Sequence, residues 1–287
     1  MSVSCHTISF APLALTNSGA YSLMASNAGG AVTSQVAYVS VTVRSNLFNA
    51  ADASWARQIG TINEDHADAV CLDSAGNAVV VGAYNGFSAA FGGFGLPASP
   101  TSPYQMFITK YDPNGNVIWS KSGGALGEHG AQSISIAPDG GLYVAGYFKG
   151  AIMLGDSQFF ATTNDFFVCR LDADGNYLWA RQANRSGGSF DTKVKVEGTN
   201  LWWVGDFSGT LQMGSQTLAS AGGDDVFLAK LNPQTGELAW ARSYGGTNDD
   251  YVAALSARGD AVYLGGGFNT NTVIGANTLA TTASSAG

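Results

Sequence analysis

The segment FFVCRLDADGNYLW, Phe166 to Trp179, decides how this chain is read. Two short apolar runs flank Asp172-Ala173-Asp174-Gly175. Asp opens such a turn by accepting bonds from the backbone just ahead of it, and Gly supplies the positive φ that closes it. The segment therefore predicts a β-hairpin. The same phrase recurs as MFITKYDPNGNVIW, Met106 to Trp119, and as VFLAKLNPQTGELAW, Val226 to Trp240.

Working outward, Trp55, Trp119, Trp179 and Trp240 each open a tripeptide of one kind: WAR, WSK, WAR, WAR. They are spaced 64, 60 and 61 residues apart. A second phrase keeps the same interval: VVVGAY ending at Tyr84, YVAGYF at Phe148, WWVGDF at Phe207 and YLGGGF at Phe268. The half of each period before that phrase also folds back, at Ser74 to Asn77 and at Pro138 to Gly141. One period thus holds two hairpins, or four strands, with a variable loop such as Ser88 to Tyr104 between them. Four strands per repeat is the count of a β-propeller blade, and blades come in runs because neighbours must cover their faces. A β-solenoid turn is shorter and has no second hairpin. The third repeat departs from the pattern, with Glu197-Gly198-Thr199-Asn200 at its first turn.

The passage Asp224 to Phe268 resembles the bacterial β-propeller repeats labelled SBBP. Its Asp-x-Phe-x-x-Lys-Leu strand, Gly turn, aromatic strand and Gly-Gly loop carry the likeness, which recurs from Trp55 onward. Ahead of the repeats, LTNSGAYSLMASNAGG resembles the F strand of an intermediate-set immunoglobulin domain, through Asn17, Gly19, Tyr21, Ala25 and Asn27. The resemblance puts Tyr21 at the tyrosine corner. Leu23 stands where the family has a cysteine, so the inter-sheet disulfide of that family is not expected. His6 to Leu15 and Ser34 to Val43 would be strands E and G.

The expected organisation is all-β. Residues 1–44 form the C-terminal part of an immunoglobulin-like sandwich, 45–54 a linker, and 55–287 about four four-stranded blades of an incomplete or open propeller. Both ends are expected to be cut within a structural unit. Further blades or a second copy would then be needed to close a ring.

The composition agrees with short strands and tight turns. Charged residues make up 12% of the chain, and there are 38 glycines in 287 residues, about half and twice the usual shares. The net charge of −8 argues against nucleic acid, which is bound by clustered Lys and Arg. Membrane insertion is not expected, because no apolar run approaches the roughly 18 residues a spanning helix needs. MSVSCHTISF has no charged segment followed by an apolar one. A secreted or cell-surface location is expected, with the signal peptide lost along with a missing N-terminal part. Cys5, Cys71 and Cys169 have no metal spacing and read as buried thiols.

Acidic residues recur in the loop after each tryptophan strand: Glu64, Asp65 and Asp68; Glu128; Asp191; Asp249 and Asp250. Gathered on one rim, they would make an electronegative surface able to attract a cationic ligand. No cofactor is expected. Ca²⁺ is suggested only by these loops, since a dedicated calcium loop's spacing is absent. Capping of strand ends accounts for the same residues. The repeating tryptophans read as packing between blades. Trp202 and Trp203 face opposite ways on one strand, so one is expected in the core. The other, taken as Trp203, is expected to reach a ligand. His6, His66 and His129 read as exposed loop residues. No nucleophile elbow or phosphate loop occurs.

The resemblance implies a non-catalytic extracellular scaffold or adhesion module that binds protein or carbohydrate through propeller loops. The alternatives are a propeller enzyme, either a polysaccharide lyase or hydrolase or a quinone-type dehydrogenase, and a mechanical spacer with no ligand.

Overall fold

The computed structural model describes residues 55–57, 61, 63–85, 90–91, 93–96, 104–124 and 127–269, together with the backbone of short strands within 19–39 and 272–279. The chain divides into two compact units, Met1–Ser54 and Trp55–Gly287. All the regular elements described are strands.

The N-terminal unit contains β1 (Gly19–Tyr21), β2 (Met24–Asn27), β3 (Gly30–Thr33) and β4 (Ala37–Val39). β2 pairs with β3 and β1 with β4, both antiparallel, as one interrupted hairpin. It covers the segments expected as strands F and G. The expected E strand lies outside the described residues.

In the C-terminal unit the first repeat has β5 (Asp65–Leu72), β6 (Ala78–Asn85), β7 (Ala90–Phe91), β8 (Phe94–Gly95), β9 (Tyr104–Tyr111) and β10 (Val117–Ser122). The second has β11 (Glu128–Ile136), β12 (Leu142–Leu154), β13 (Ser157–Leu171) and β14 (Tyr177–Gly187). The third has β15 (Thr192–Glu197), β16 (Asn200–Met213), β17 (Gln216–Ala219), β18 (Asp225–Leu231) and β19 (Leu238–Tyr244). The fourth has β20 (Asp250–Arg258), β21 (Ala261–Phe268), β22 (Thr272–Ile274) and β23 (Asn277–Leu279). Each of the first three repeats folds into a four-stranded antiparallel meander, β5-β6-β9-β10, β11-β12-β13-β14 and β15-β16-β18-β19. In the fourth, β20 pairs with β21 and β22 with β23.

The turns close as their residues require. Asp73, Asp112 and Asp172 each accept bonds from the backbone N–H groups two and four residues on, and Gly76, Gly115 and Gly175 take positive φ. In the third repeat, Glu197 pairs directly with Asn200, so the departing sequence makes a shorter turn. The expected variable loop is more ordered than a loop. Between the second and third strand, each repeat carries a hairpin arm: β7 with β8, the outer ends of β12 and β13, the outer end of β16 with β17, and β22 with β23. The reason lies in alternation, since Ile152 and Leu154, and Leu211 and Met213, face the core while the residues between them do not.

The sheets stack face to face. Val144, Phe167 and Cys169 pack towards Val79, Met106 and Ile108 of the first repeat. Their neighbours Tyr143, Phe166 and Val168 pack towards Val194, Trp203 and Phe227 of the third. Trp202, Val204 and Leu228 pack towards Val252 of the fourth. Strands covered on both faces therefore read as continuous apolar runs.

One glycine per repeat allows close approach. A Cβ on Gly146 would lie 2.0 Å from the Gly130 carbonyl oxygen, and one on Gly82 2.1 Å from that of His66. Both stand beside bulges in the first strand. Phe107, Phe167 and Phe227 pair across from Gly82, Gly146 and Gly205 and lay their rings over them, which covers the bare backbone.

A methyl group at Gly146 must displace backbone. We expect Gly146→Ala to lower stability by more than about 2 kcal/mol. Gly95→Ala, with no atom within 4 Å of the added carbon, should change it by less than about 0.5 kcal/mol. Urea midpoints measure both; equal midpoints would refute the close-approach role.

Candidate functional site

The first strands of all four repeats line one cavity of about 330 Å³, walled by Cys71, Leu72, Ser133, Ile134, Ser135, Ile136, Lys193, Val194, Lys195 and Leu255. Lys193 and Lys195 alternate with Val194 and Val196, so the lysines share the strand face opposite the buried valines. The two serines are already engaged. Ser133 Oγ accepts from Val194 N at 3.0 Å and Ser135 Oγ from Val196 N at 3.1 Å, which ties β11 to β15. No carboxylate is among the lining residues.

The acidic loops fall into two groups. Around Tyr104 and Tyr147 the structure gathers Glu64, Asp68 and Glu128. Tyr104 OH donates to Glu64 at 3.2 Å, and that bond, with some desolvation, raises the Tyr104 hydroxyl pKa. His66 Nδ1 meets Asp68 at 3.0 Å. Burial pushes the Asp68 carboxyl up, against His66 and Lys193 which pull it down, and Asp191 adds to the rise. Burial raises Tyr147 to about 12, and the charges of Glu128 and Asp68 add to the rise. The Tyr147 ring meets that of Phe190 at 5.6 Å in a tilted arrangement, and Phe190 is 49% exposed. This patch draws on three successive repeats and combines aromatic rings with carboxylates.

The second group serves the fold. Asp65 accepts from Thr61 N and Asn85 N. Asp250 accepts from Gly246 N at 2.7 Å, and Asp249 from Asp224 N at 3.1 Å. Asp165 and Asp225, the acids of the Asp-x-Phe phrase, accept from Arg185 N and Ala221 N. These carboxylates cap strand ends and loops, as the structural account of the acidic residues predicts.

Several expectations are corrected. Trp203 does not reach a ligand. It is 1% exposed, its indole N–H donates to Thr192 Oγ1 at 2.8 Å, and its ring meets Phe227 edge-on. Trp202 is 4% exposed on the opposite face, because sheets cover both sides of β16. His129 is fully buried, not on an exposed loop. Its Nδ1 accepts from Met106 N at 2.8 Å, linking the first sheet to the second, and burial lowers its pKa to about 4. His66 is exposed, as expected, but it lies on β5 and not on a loop. Cys169 is buried and Cys71 half-buried, both free thiols, while Cys5 and His6 lie outside the described residues. Among the described residues no group of three His, Cys, Asp or Glu side chains is placed to hold a metal ion. Among the described residues no helix is long and apolar enough to cross a membrane.

Sequence reasoning missed Asp206 and Arg185. Asp206 is fully buried, with Val252 N and Ser189 Oγ donating to its two oxygens at 2.9 and 3.1 Å. Burial, aided by Asp191 and Asp224, pushes its carboxyl to about 7. Arg185 donates to the Asp206 carbonyl at 3.1 Å, and burial lowers its pKa to about 10 against the pull of Asp165, Asp224 and Asp206. The signal available was the charged residue inside the apolar phrase WWVGDF.

No protein-family model matches the chain. The chain is similar to part of the regulatory protein FlaEY of Caulobacter vibrioides, 27% identical over 169 residues that cover 55% of this chain and 17% of that protein. It therefore spans well under two thirds of that relative.

Asp206 has a folded pKa above its unfolded value, so the folded state holds an extra proton between about pH 4 and 7. Stability should fall as pH rises through that window, by up to about 1.4 kcal/mol per unit. Asp206→Asn removes the titration. Urea unfolding of both proteins from pH 4 to 8 should show the variant gaining on the wild type as pH rises; parallel curves would exclude the effect.

Proposed function

We propose that residues 55–287 are a run of β-propeller blades behind the C-terminal part of an immunoglobulin-like domain. On this reading the chain is a non-catalytic extracellular scaffold that binds protein or carbohydrate on one rim. The observation that carries it is the patch of Tyr104, Tyr147 and Phe190 with Glu64, Asp68 and Glu128, assembled from successive repeats beside the common cavity. Aromatic faces offer stacking area to sugar rings or apolar side chains, and carboxylates accept hydrogen bonds from hydroxyl or cationic groups. Rigid stacked sheets fix these groups in place, so little ordering opposes binding. The face-to-face stacking and the shared lining by four first strands support the propeller architecture. Cell-surface placement belongs to the same proposal.

The test is binding to a panel of immobilised bacterial polysaccharides and basic peptides, with the double variant Asp68→Asn/Tyr147→Ala as control. Saturable binding by the wild type, reduced at least about tenfold in a variant of unchanged melting temperature, is the expected result. Equal binding by the variant would exclude this patch. Release of cleaved sugar from the panel would instead favour the enzyme reading.

A further inference from the structure

Three sets of donors occupy equivalent places on successive sheets. Lys110 Nζ and Trp119 Nε1 both donate to the Ala173 carbonyl, at 3.2 and 3.3 Å. Tyr143 OH, Arg170 Nη1 and Trp179 Nε1 all donate to the Pro233 carbonyl, at 3.1, 3.5 and 3.1 Å. Each acceptor is the second residue of the turn between the third and fourth strands of the next repeat. Each tryptophan also lies on that turn's glycine, Trp119 on Gly175 and Trp179 on Gly236. The third set is Trp202, Lys230 and Trp240. Trp202 is buried, yet its Nε1 has no acceptor among the described residues. Lys230 is held over the Trp202 ring at 5.3 Å, and Trp202 and Trp240 meet at 5.8 Å. Arg242 lies 5.1 Å over Trp240, as Arg57 and Arg181 lie over Trp55 and Trp179. The clamp is assembled, but among the described residues no turn occupies it. A buried N–H left without an acceptor costs about 1–3 kcal/mol, so an occupant with a carbonyl there is favoured.

Two further features point to the same occupant. A cavity of about 470 Å³ lies over Gly265 to Gly267, walled by Val226, Leu228, Tyr244 and Val252. In the earlier repeats the equivalent glycines, Gly82, Gly146 and Gly205, are covered by Phe107, Phe167 and Phe227 from the third strand. Among the described residues β21 also pairs with β20 alone. In the earlier repeats the other edge of the second strand pairs with the third.

We propose that this edge is a docking site for a β-hairpin of the chain's own repeat pattern, one that supplies the third and fourth strands of the fourth repeat. Its Phe would fill the cavity over Gly266, its backbone would pair with β21, and its turn would present a carbonyl and a glycine to Trp202, Lys230, Trp240 and Arg242. The cationic pair suits an acidic first turn residue. Arg57 beside Asp112, and Lys121 beside Asp172, help hold those turn carboxyls low. The site is separate from the rim patch and does not depend on its function.

The probe is a fluorescein-labelled peptide with the sequence of residues 225–242, titrated into the whole chain and followed by anisotropy. Saturable binding with one peptide per chain is expected. Phe227→Ala in the peptide, and Trp240→Ala in the protein, should each weaken it by at least about tenfold. Arg242→Glu, at an exposed position that leaves the melting temperature unchanged, should weaken it several-fold. Absence of saturable binding would overturn the proposal. Equal affinity for the Phe227→Ala peptide would also overturn it, by showing that any extended strand suffices. So would a dimer in light scattering that excess peptide fails to dissociate, because a second copy would then cover the edge.

Discussion

The tryptophan that lies on the next repeat's turn glycine is the contact on which the rest of the C-terminal unit depends. Trp55 on Gly115, Trp119 on Gly175 and Trp179 on Gly236 place an indole where any Cβ would stand within 3 Å of a ring atom. The glycine is thus required twice, for positive φ and for want of a side chain. The indole N–H bonds a carbonyl two or three residues before it in the same turn, so a large apolar contact and a directed hydrogen bond coincide. This fixes the distance and the rotation between neighbouring sheets, which apolar stacking alone leaves free to slide.

Once that spacing is set, the middle sheets have no solvent face. Alternate residues of β13 and β16 serve two different cores, one towards each neighbouring sheet. Polar residues are displaced to strand ends and edges, where backbone groups need partners. Asp65, Asp165, Asp225 and Asp250 meet that need. Ser133 and Ser135 meet it for the edge of β15. Many of the acidic residues of this chain are therefore structural.

The repeat period, the hairpins and their turn residues were legible in the sequence because they are local: an Asp, a Gly and two apolar runs lie within a dozen residues. The tryptophan spacing was legible as packing between repeats for the same reason, one residue per period. What was not legible required knowing which sheet lies opposite. Trp203 reads like an exposed aromatic until the third sheet is seen to be covered on both sides. His129 aligns with Asp65, and both accept a backbone N–H, but one is buried and the other half-exposed because the neighbouring elements differ. The hairpin arms were hidden because their alternation is short and interrupted by Gly150 and Gly209, both at positive φ.

The acids near Tyr104 and Tyr147 and the buried Asp206 differ in what surrounds them, and that decides what each can do. Near Tyr104 and Tyr147 the acids keep contact with solvent, and Asp68 with His66 and Lys193. Where the second, third and fourth repeats meet, Arg185 and Asp206 are buried among carbonyls and other acids, and burial drives both towards their neutral forms. A ligand would have to displace hydrogen bonds that hold Val252 and Ser189 to reach Asp206. Acidic side chains thus stand both at the surface beside Tyr104 and Tyr147 and buried beneath it, separated by one layer of burial.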